Sequence, residues 1–132
     1  MTERTPVNQV DAAVDIPRPG QAVRGSQSGK PIMALLDLLG RRWALRVIWE
    51  VREDALTFRE LQARCEQISS SVLNQRLAEL RAAGIVESSG AGYALTDEGA
   101  RLLDLYPALQ SWADRWARRE AKARARGRRG RR

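Results

Sequence analysis

Apolar residues recur with helical spacing between residues 31 and 116, which indicates a chain built mainly from helices. Pro31 suits the first position of a helix, and Gly40 interrupts the pattern that follows it. The expected inner face of this first helix consists of Ile32, Leu35, Leu36 and Leu39. A second helix over residues 43–51 is apolar on most sides, so we expect it to lie at the centre of the core.

Two further helices are predicted with a short turn between them. Thr57 and Glu60 form a capping-box pattern at the start of the third helix. Ser69 can cap a fourth helix over residues 70–83, and Gly84 is suited to end it because glycine accepts left-handed backbone geometry. The buried face of the fourth helix is expected to consist of Leu73, Leu77 and Leu80.

A hairpin and a last helix complete the pattern. Residues 85–88 and 93–95 are β-prone and flank a Ser-Gly-Ala-Gly sequence, which predicts a short hairpin. Thr96 can cap the last helix, which Pro107 is expected to bend or divide. A short capped helix, a turn, a longer helix and a hairpin follow one another in a winged helix-turn-helix. The predicted fold is therefore mainly α-helical with a small β-hairpin, of the winged helix-turn-helix class.

The segments on either side of this region differ from it in composition. Residues 1–29 contain three prolines and few large apolar side chains, which predicts a flexible arm before a domain over residues 30–117. Residues 118–132 contain nine Arg or Lys and one acid, a net charge of +8, which predicts a basic disordered tail. Residues 1–117 have a net charge of −1, so DNA binding by the domain requires a local arrangement of basic side chains.

Composition argues against several classes of protein. The chain has no histidine and a single cysteine, Cys65, so it lacks the commonest general base and zinc ligand and cannot form an intramolecular disulfide. We therefore expect no enzyme activity and no cofactor. No apolar run is long enough to span a bilayer, and we expect a cytoplasmic, nucleoid-associated protein with no membrane partner. Cys65 shares an apolar face with Phe58 and Leu61, which favours a buried thiol over a redox sensor.

The outer face of the fourth helix carries side chains that can read DNA bases. Asn and Gln can bond bidentately to adenine, and Arg can bond to guanine. The residues predicted to read bases are Ser71, Asn74, Gln75 and Arg76. Hydroxyl groups at the helix start and nearby guanidinium groups can hold phosphate. The predicted phosphate ligands are Ser69, Ser70, Arg41, Arg42, Arg59, Arg81, Arg128 and Arg129. A solvated helix face is the alternative interpretation.

The last helix has an apolar stripe larger than a domain of this size is expected to cover. A second subunit could bury this stripe through a two-fold symmetric contact. The predicted dimer contacts are Leu102, Tyr106, Leu109, Trp112, Ala113 and Trp116. The alternative is that these residues cover the core of their own subunit.

Residues 30–116 resemble the HxlR family of bacterial winged-helix regulators, which is related in fold to the MarR family. The resemblance is carried by Gly99 and by residues 31–43, 58–61, 68–77, 79–80, 83–86 and 93–96. It implies homodimers that bind pseudo-palindromic operators in double-stranded DNA. It also implies that helices near both ends of the domain form the dimer contacts.

Three features depart from the family pattern. Lys30 occupies a position where many members have a cysteine, which some use to sense electrophiles or oxidants, so sensing by that route is excluded. The predicted wing is short and lacks the usual basic residue and prolines, which makes it a weak candidate for DNA contact. The basic tail is longer than the resemblance implies. It is a candidate to replace the wing as a phosphate-binding arm, and the alternative is a solvated tail without a binding role.

Together these features predict a sequence-specific, homodimeric DNA-binding transcription regulator, with repression favoured over activation. A winged-helix protein-interaction module without specific DNA binding is the alternative. The sequence identifies neither the operator nor a small-molecule effector.

Overall fold

The computed structural model describes residues 14–66 and 68–130. The first four helices are α1 (Pro31–Leu39), α2 (Ala44–Glu50), α3 (Phe58–Arg64) and α4 (Ser70–Ala82). Strands β1 (Val86–Ser89) and β2 (Gly92–Leu95) follow, and then helices α5 (Asp97–Leu103) and α6 (Tyr106–Arg129). This order confirms the predicted, mainly helical fold with a small hairpin.

The core surrounds α2, which contacts α1, α3, α4 and α5. Val47 and Ile48 of α2 are buried against apolar side chains of the neighbouring helices. Those partners include Leu61 of α3 and Leu73 and Leu77 of α4. The predicted central position of the second helix is therefore confirmed, and both α3 and α4 pack against it.

Local signals mark the start of α3 and both ends of α4 where the sequence predicts them. The Thr57 hydroxyl accepts from the Glu60 N–H, and the Glu60 carboxylate accepts from the Thr57 N–H, which completes the capping box. The Ser69 hydroxyl accepts from the Val72 N–H at the start of α4. Gly84 has φ of 77° after the end of α4, the left-handed conformation that glycine adopts readily.

The hairpin is anchored to the segment that precedes α3. Strands β1 and β2 are antiparallel, with Ser89 opposite Gly92 across a two-residue turn. Leu56 pairs with Tyr93 through two backbone hydrogen bonds, Leu56 N–H to Tyr93 C=O at 2.9 Å and Tyr93 N–H to Leu56 C=O at 2.7 Å. These bonds fix the wing relative to the helix-turn-helix.

The inner face of α1 differs from the prediction. Ala34 and Leu38 are buried, whereas Ile32 and Leu36 are 54% and 55% exposed. Helix α1 is apolar on two sides, so spacing alone does not identify the side that meets the core. Ile32 and Leu36 belong instead to the apolar groove described below.

The predicted flexible arm is partly structured. Residues 1–13 lie outside the described residues. Ile16 is buried in the core cluster, and the Gly20 N–H donates to the Gly29 carbonyl at 2.8 Å. The prediction was wrong for residues 14–29, because the apolar side chains of Val14 and Ile16 attach this segment to the core.

The predicted disordered tail is helical up to Arg129. Helix α5 ends at Leu103 and α6 begins at Tyr106, with Pro107 in its first turn, so the proline divides the helix as predicted. Helix α6 then continues through residues 118–129, because Ala, Arg and Lys are strong helix formers. Residues 131–132 lie outside the described residues. In the part of the chain that the structure describes, no helix is both long enough and apolar enough to cross a lipid bilayer.

Candidate nucleic-acid interface

The outer face of α4 presents polar side chains to solvent. Its three inward leucines are buried, which turns the opposite face outward. Ser71, Asn74 and Gln75 are exposed on that face. Among the described residues, neither the Asn74 amide nor the Gln75 amide has a hydrogen-bond partner. Both amides are therefore available to donate to and accept from a bound molecule.

The turn before α4 is held by a side chain that the sequence analysis did not select. The Gln62 amide donates to the Ile68 carbonyl and to the Ser70 hydroxyl, each at 3.0 Å. These bonds join α3 to the first turn of α4 and position the Ser70 hydroxyl. Sequence reasoning missed Gln62 because its role depends on the angle between the two helices.

Arg76 does not lie on the exposed face of α4 that Ser71, Asn74 and Gln75 share. Its guanidinium donates to the Glu79 carboxylate and to the Arg42 carbonyl, both at 2.7 Å, and its side chain is only 16% exposed. Burial lowers the pKa of Arg76, and the nearby charge of Arg41 lowers it further. The prediction that Arg76 reads bases is corrected, because the buried Glu79 carboxylate requires a positive partner.

The predicted phosphate ligands divide into two groups. Arg59, Ser69 and Ser70 line one open hollow beside the α3–α4 turn, and Arg42 is exposed. Arg41 instead pairs with Glu79, which reduces its availability to phosphate. The remaining candidates are Arg81, which is partly buried and has an intramolecular interaction, and Arg128 and Arg129, which are exposed on α6.

The predicted dimer residues also divide into two groups. Leu102 packs against the core, and Tyr106 stacks on Trp49 with ring centroids 4.1 Å apart. The members that are exposed in the single chain are Leu109, Trp112, Ala113 and Trp116. The start of the stripe therefore attaches α5 and α6 to the domain, and its continuation is left uncovered.

An apolar groove of about 470 Å³ runs between α1 and the start of α6. Exposed apolar side chains from the two helices and from the residue just before α6 line it: Ile32, Leu36, Leu105, Leu109 and Trp112. Contiguous apolar surface of this kind marks a binding face.

Cys65 is buried in the core, and burial raises the pKa of its thiol. We expect the native protein to react with a thiol reagent only when it unfolds locally or globally, because both access and the thiolate fraction are reduced. The labelling rate at neutral pH should be orders of magnitude below the rate in urea. Equal rates in the two conditions would support the redox-sensor alternative.

Comparison with known proteins supports this interpretation of the fold. Residues 38–121 match the family described as HxlR-like helix-turn-helix. The HTH-type transcriptional regulator YvaP of Bacillus subtilis is 28% identical over 88 residues, which are 61% of this chain and 82% of YvaP. The crystal structure of quinone-bound YodB from B. subtilis matches this chain with a TM-score of 0.61 and 32% sequence identity, over 64% of this chain and 96% of that chain. The structure of a possible HxlR family transcriptional factor from Thermoplasma volcanium is 32% identical with a TM-score of 0.55, over 65% of this chain and 86% of that chain.

The family match covers more than half of the chain, and it includes the turn, α4 and the wing. YvaP and YodB are both named as HTH-type transcriptional regulators. The chain therefore belongs to the HxlR-like helix-turn-helix family of DNA-binding transcription regulators.

Proposed function

We propose that this regulator reads a pseudo-palindromic operator with α4 and binds it as a homodimer. The observation that carries the proposal is the exposed face of Ser71, Asn74 and Gln75, opposite a fully buried row of leucines. The second helix of a helix-turn-helix lies in the major groove. In that position the Asn74 and Gln75 amides can each bond to an adenine edge, and the short Ser71 side chain allows close approach.

Phosphate contacts position α4 without specifying sequence. Arg59, Ser69 and Ser70 share one hollow at the start of α4, where backbone N–H groups also favour an anion. Arg42 is exposed in the turn between α1 and α2 and supplies a further positive charge. We assign these four residues to the DNA backbone, with Gln62 as the residue that holds Ser70 in place.

The occupant that we assign to the apolar groove is a second copy of the chain. A two-fold contact presents the same α1 and α6 side chains from both subunits, so each groove is filled by the other subunit's apolar residues. Two α4 helices then face successive major grooves. We favour repression, because a dimer bound across a promoter excludes polymerase without any further contact. The crystal structure of YodB contains a quinone; we propose no thiol-based effector here, because the single cysteine is the buried Cys65.

Replacing Gln75 with alanine should weaken binding to the operator and leave other DNA binding unchanged. Loss of a bidentate base contact is expected to cost about 1–3 kcal/mol in each half-site, or roughly 5-fold to 150-fold in Kd for each bound subunit. Selection of duplexes from a random-sequence library by the wild-type chain supplies the operator. Fluorescence anisotropy then compares the selected duplex with an unrelated one.

The matched control is Gln27→Ala, which removes an exposed glutamine far from α4 in sequence and should change neither affinity. Equal losses on the selected and unrelated duplexes would contradict base readout by Gln75. Failure to select any sequence, together with salt-resistant binding of a protein partner, would instead support the interaction-module alternative.

A further inference from the structure

Helix α6 continues well beyond its contacts with the domain. It contains 24 residues, which corresponds to about 36 Å at 1.5 Å per residue. Residues 107–129 are all exposed, and Trp116 is the last large apolar residue among them. Beyond Trp116 the helix has no core to cover, so its composition is not explained by packing within the chain.

The basic residues of α6 are concentrated on one side of the helix. Six of them follow one another in steps of three, one, three, four and three, which places them within about 100° of the helix circumference. We call this surface the basic ridge, and it consists of Arg115, Arg118, Arg119, Lys122, Arg126 and Arg129. Asp114 and Glu120 fall outside the ridge, and Arg124 and Arg128 fall on the opposite side.

Contacts along the first part of the ridge agree with this placement. Arg115, Arg118, Arg119 and Lys122 line one surface hollow together with Trp112. The Arg119 guanidinium lies 5.5 Å from the centre of the Trp112 ring. These side chains therefore form one continuous cationic surface.

The ridge is electrostatically unfavourable without an anion. Arg115 and Arg119, Arg118 and Lys122, and Lys122 and Arg126 are like-charged pairs four residues apart, a spacing at which like charges destabilise a helix. A regular polyanion removes this repulsion. The ridge extends about 21 Å, and duplex DNA carries one phosphate charge per roughly 1.7 Å of its axis. Five of the six ridge residues are arginines, whose planar guanidinium binds phosphate through two parallel hydrogen bonds.

We propose that the basic ridge binds the phosphate backbone of duplex DNA without regard to sequence, as a second DNA contact in addition to α4. A membrane-surface helix inserts large apolar side chains beside its charged face, and α6 has none beyond Trp116. The assignment changes the residues expected from the sequence. Arg129 remains a phosphate ligand, the other five ridge residues join it, and Arg128 is excluded because it lies off the ridge.

The test compares two double variants of the full chain on a duplex of unrelated sequence. Arg126→Gln with Arg129→Gln removes two charges from the ridge, and Arg124→Gln with Arg128→Gln removes two charges of the same type from the opposite side. The measurement is the slope of log K against log salt concentration, taken from anisotropy titrations in a KCl series. The ridge variant should reduce the magnitude of the slope by about 1.8 for each bound subunit, that is 0.9 for each lost phosphate contact, and the control should leave it unchanged. Circular dichroism checks that both variants retain α6.

An equal reduction in both variants would show that net charge alone acts, and an unchanged slope in the ridge variant would show that the ridge does not touch DNA. Ridge-dependent binding to phosphatidylserine vesicles that is tighter than binding to the duplex would also overturn the proposal. Base readout by α4 is tested separately, because Gln75→Ala affects only the selected duplex and the ridge variants are measured on an unrelated one.

Discussion

Replacing Glu79 with alanine is expected to lower the free energy of unfolding by about 3–5 kcal/mol. Glu79 is 2% exposed, and its carboxylate accepts hydrogen bonds from Arg41 and from Arg76. Its removal leaves the two guanidinium groups close together without a counter-charge, and Arg76 is itself largely buried. Urea unfolding followed by circular dichroism, at one fixed protein concentration, measures the effect.

The control for this prediction is an exposed ion pair of the same spacing. Glu98 and Arg101 are three residues apart with a nitrogen–oxygen distance of 3.0 Å, and their side chains are 72% and 75% exposed. Glu98→Ala should change the free energy of unfolding by no more than about 0.5 kcal/mol, because water solvates both partners. A Glu79→Ala loss as small as that of Glu98→Ala would show that the buried cluster contributes no stability.

The Glu79 cluster also fixes the position of α4, the helix that we propose binds DNA. Arg41 and the Arg42 carbonyl belong to the turn between α1 and α2, whereas Arg76 and Glu79 belong to α4. Their bonds join that turn to the middle of α4, and Gln62 joins α3 to the start of α4. The helix that carries the exposed amides is therefore held from two directions, and the proposed base readout requires this rigidity.

The sequence was sufficient to predict the structure wherever an interaction between nearby residues determines it. The Thr57 capping box, the Ser69 cap and the left-handed Gly84 are formed between residues close together in the chain, so their patterns can be recognised without a tertiary structure. The exposed amides of Asn74 and Gln75 followed from the leucine spacing on the same helix.

The errors concern side chains whose environment is set by distant parts of the chain. Arg76 was assigned to bases because helical spacing places it near Gln75, but a buried carboxylate and a carbonyl from the α1–α2 turn hold it inside. Ile32 and Leu36 were assigned to the core, whereas the buried residues of α1 are Ala34 and Leu38 on its other apolar side. Neither outcome could be read from periodicity, which gives the faces of a helix but not their neighbours.

Replacing Leu109 with glutamate is expected to convert the proposed dimer to monomers and to abolish tight operator binding. Leu109 lines the apolar groove and is 62% exposed in the single chain. Burial of a leucine contributes about 1.5–3 kcal/mol, and two-fold symmetry counts it twice, so the dimer should lose about 3–6 kcal/mol. This corresponds to a rise of roughly 10²- to 10⁴-fold in the dissociation constant of the dimer. Light scattering coupled to size-exclusion chromatography measures the mass over a concentration series.

Ala117→Glu is the matched control, since it adds the same charge to an exposed position of α6 outside the residues that line the groove. The control should remain dimeric and bind the selected operator like the wild type. Because a monomer engages only one half-site, Leu109→Glu should bind the full operator no better than an isolated half-site. The fold of the single chain should be unaffected, because Leu109 contributes little to its core. A Leu109→Glu protein that stays dimeric would show that the two subunits meet through another surface, and the groove would then require a different occupant.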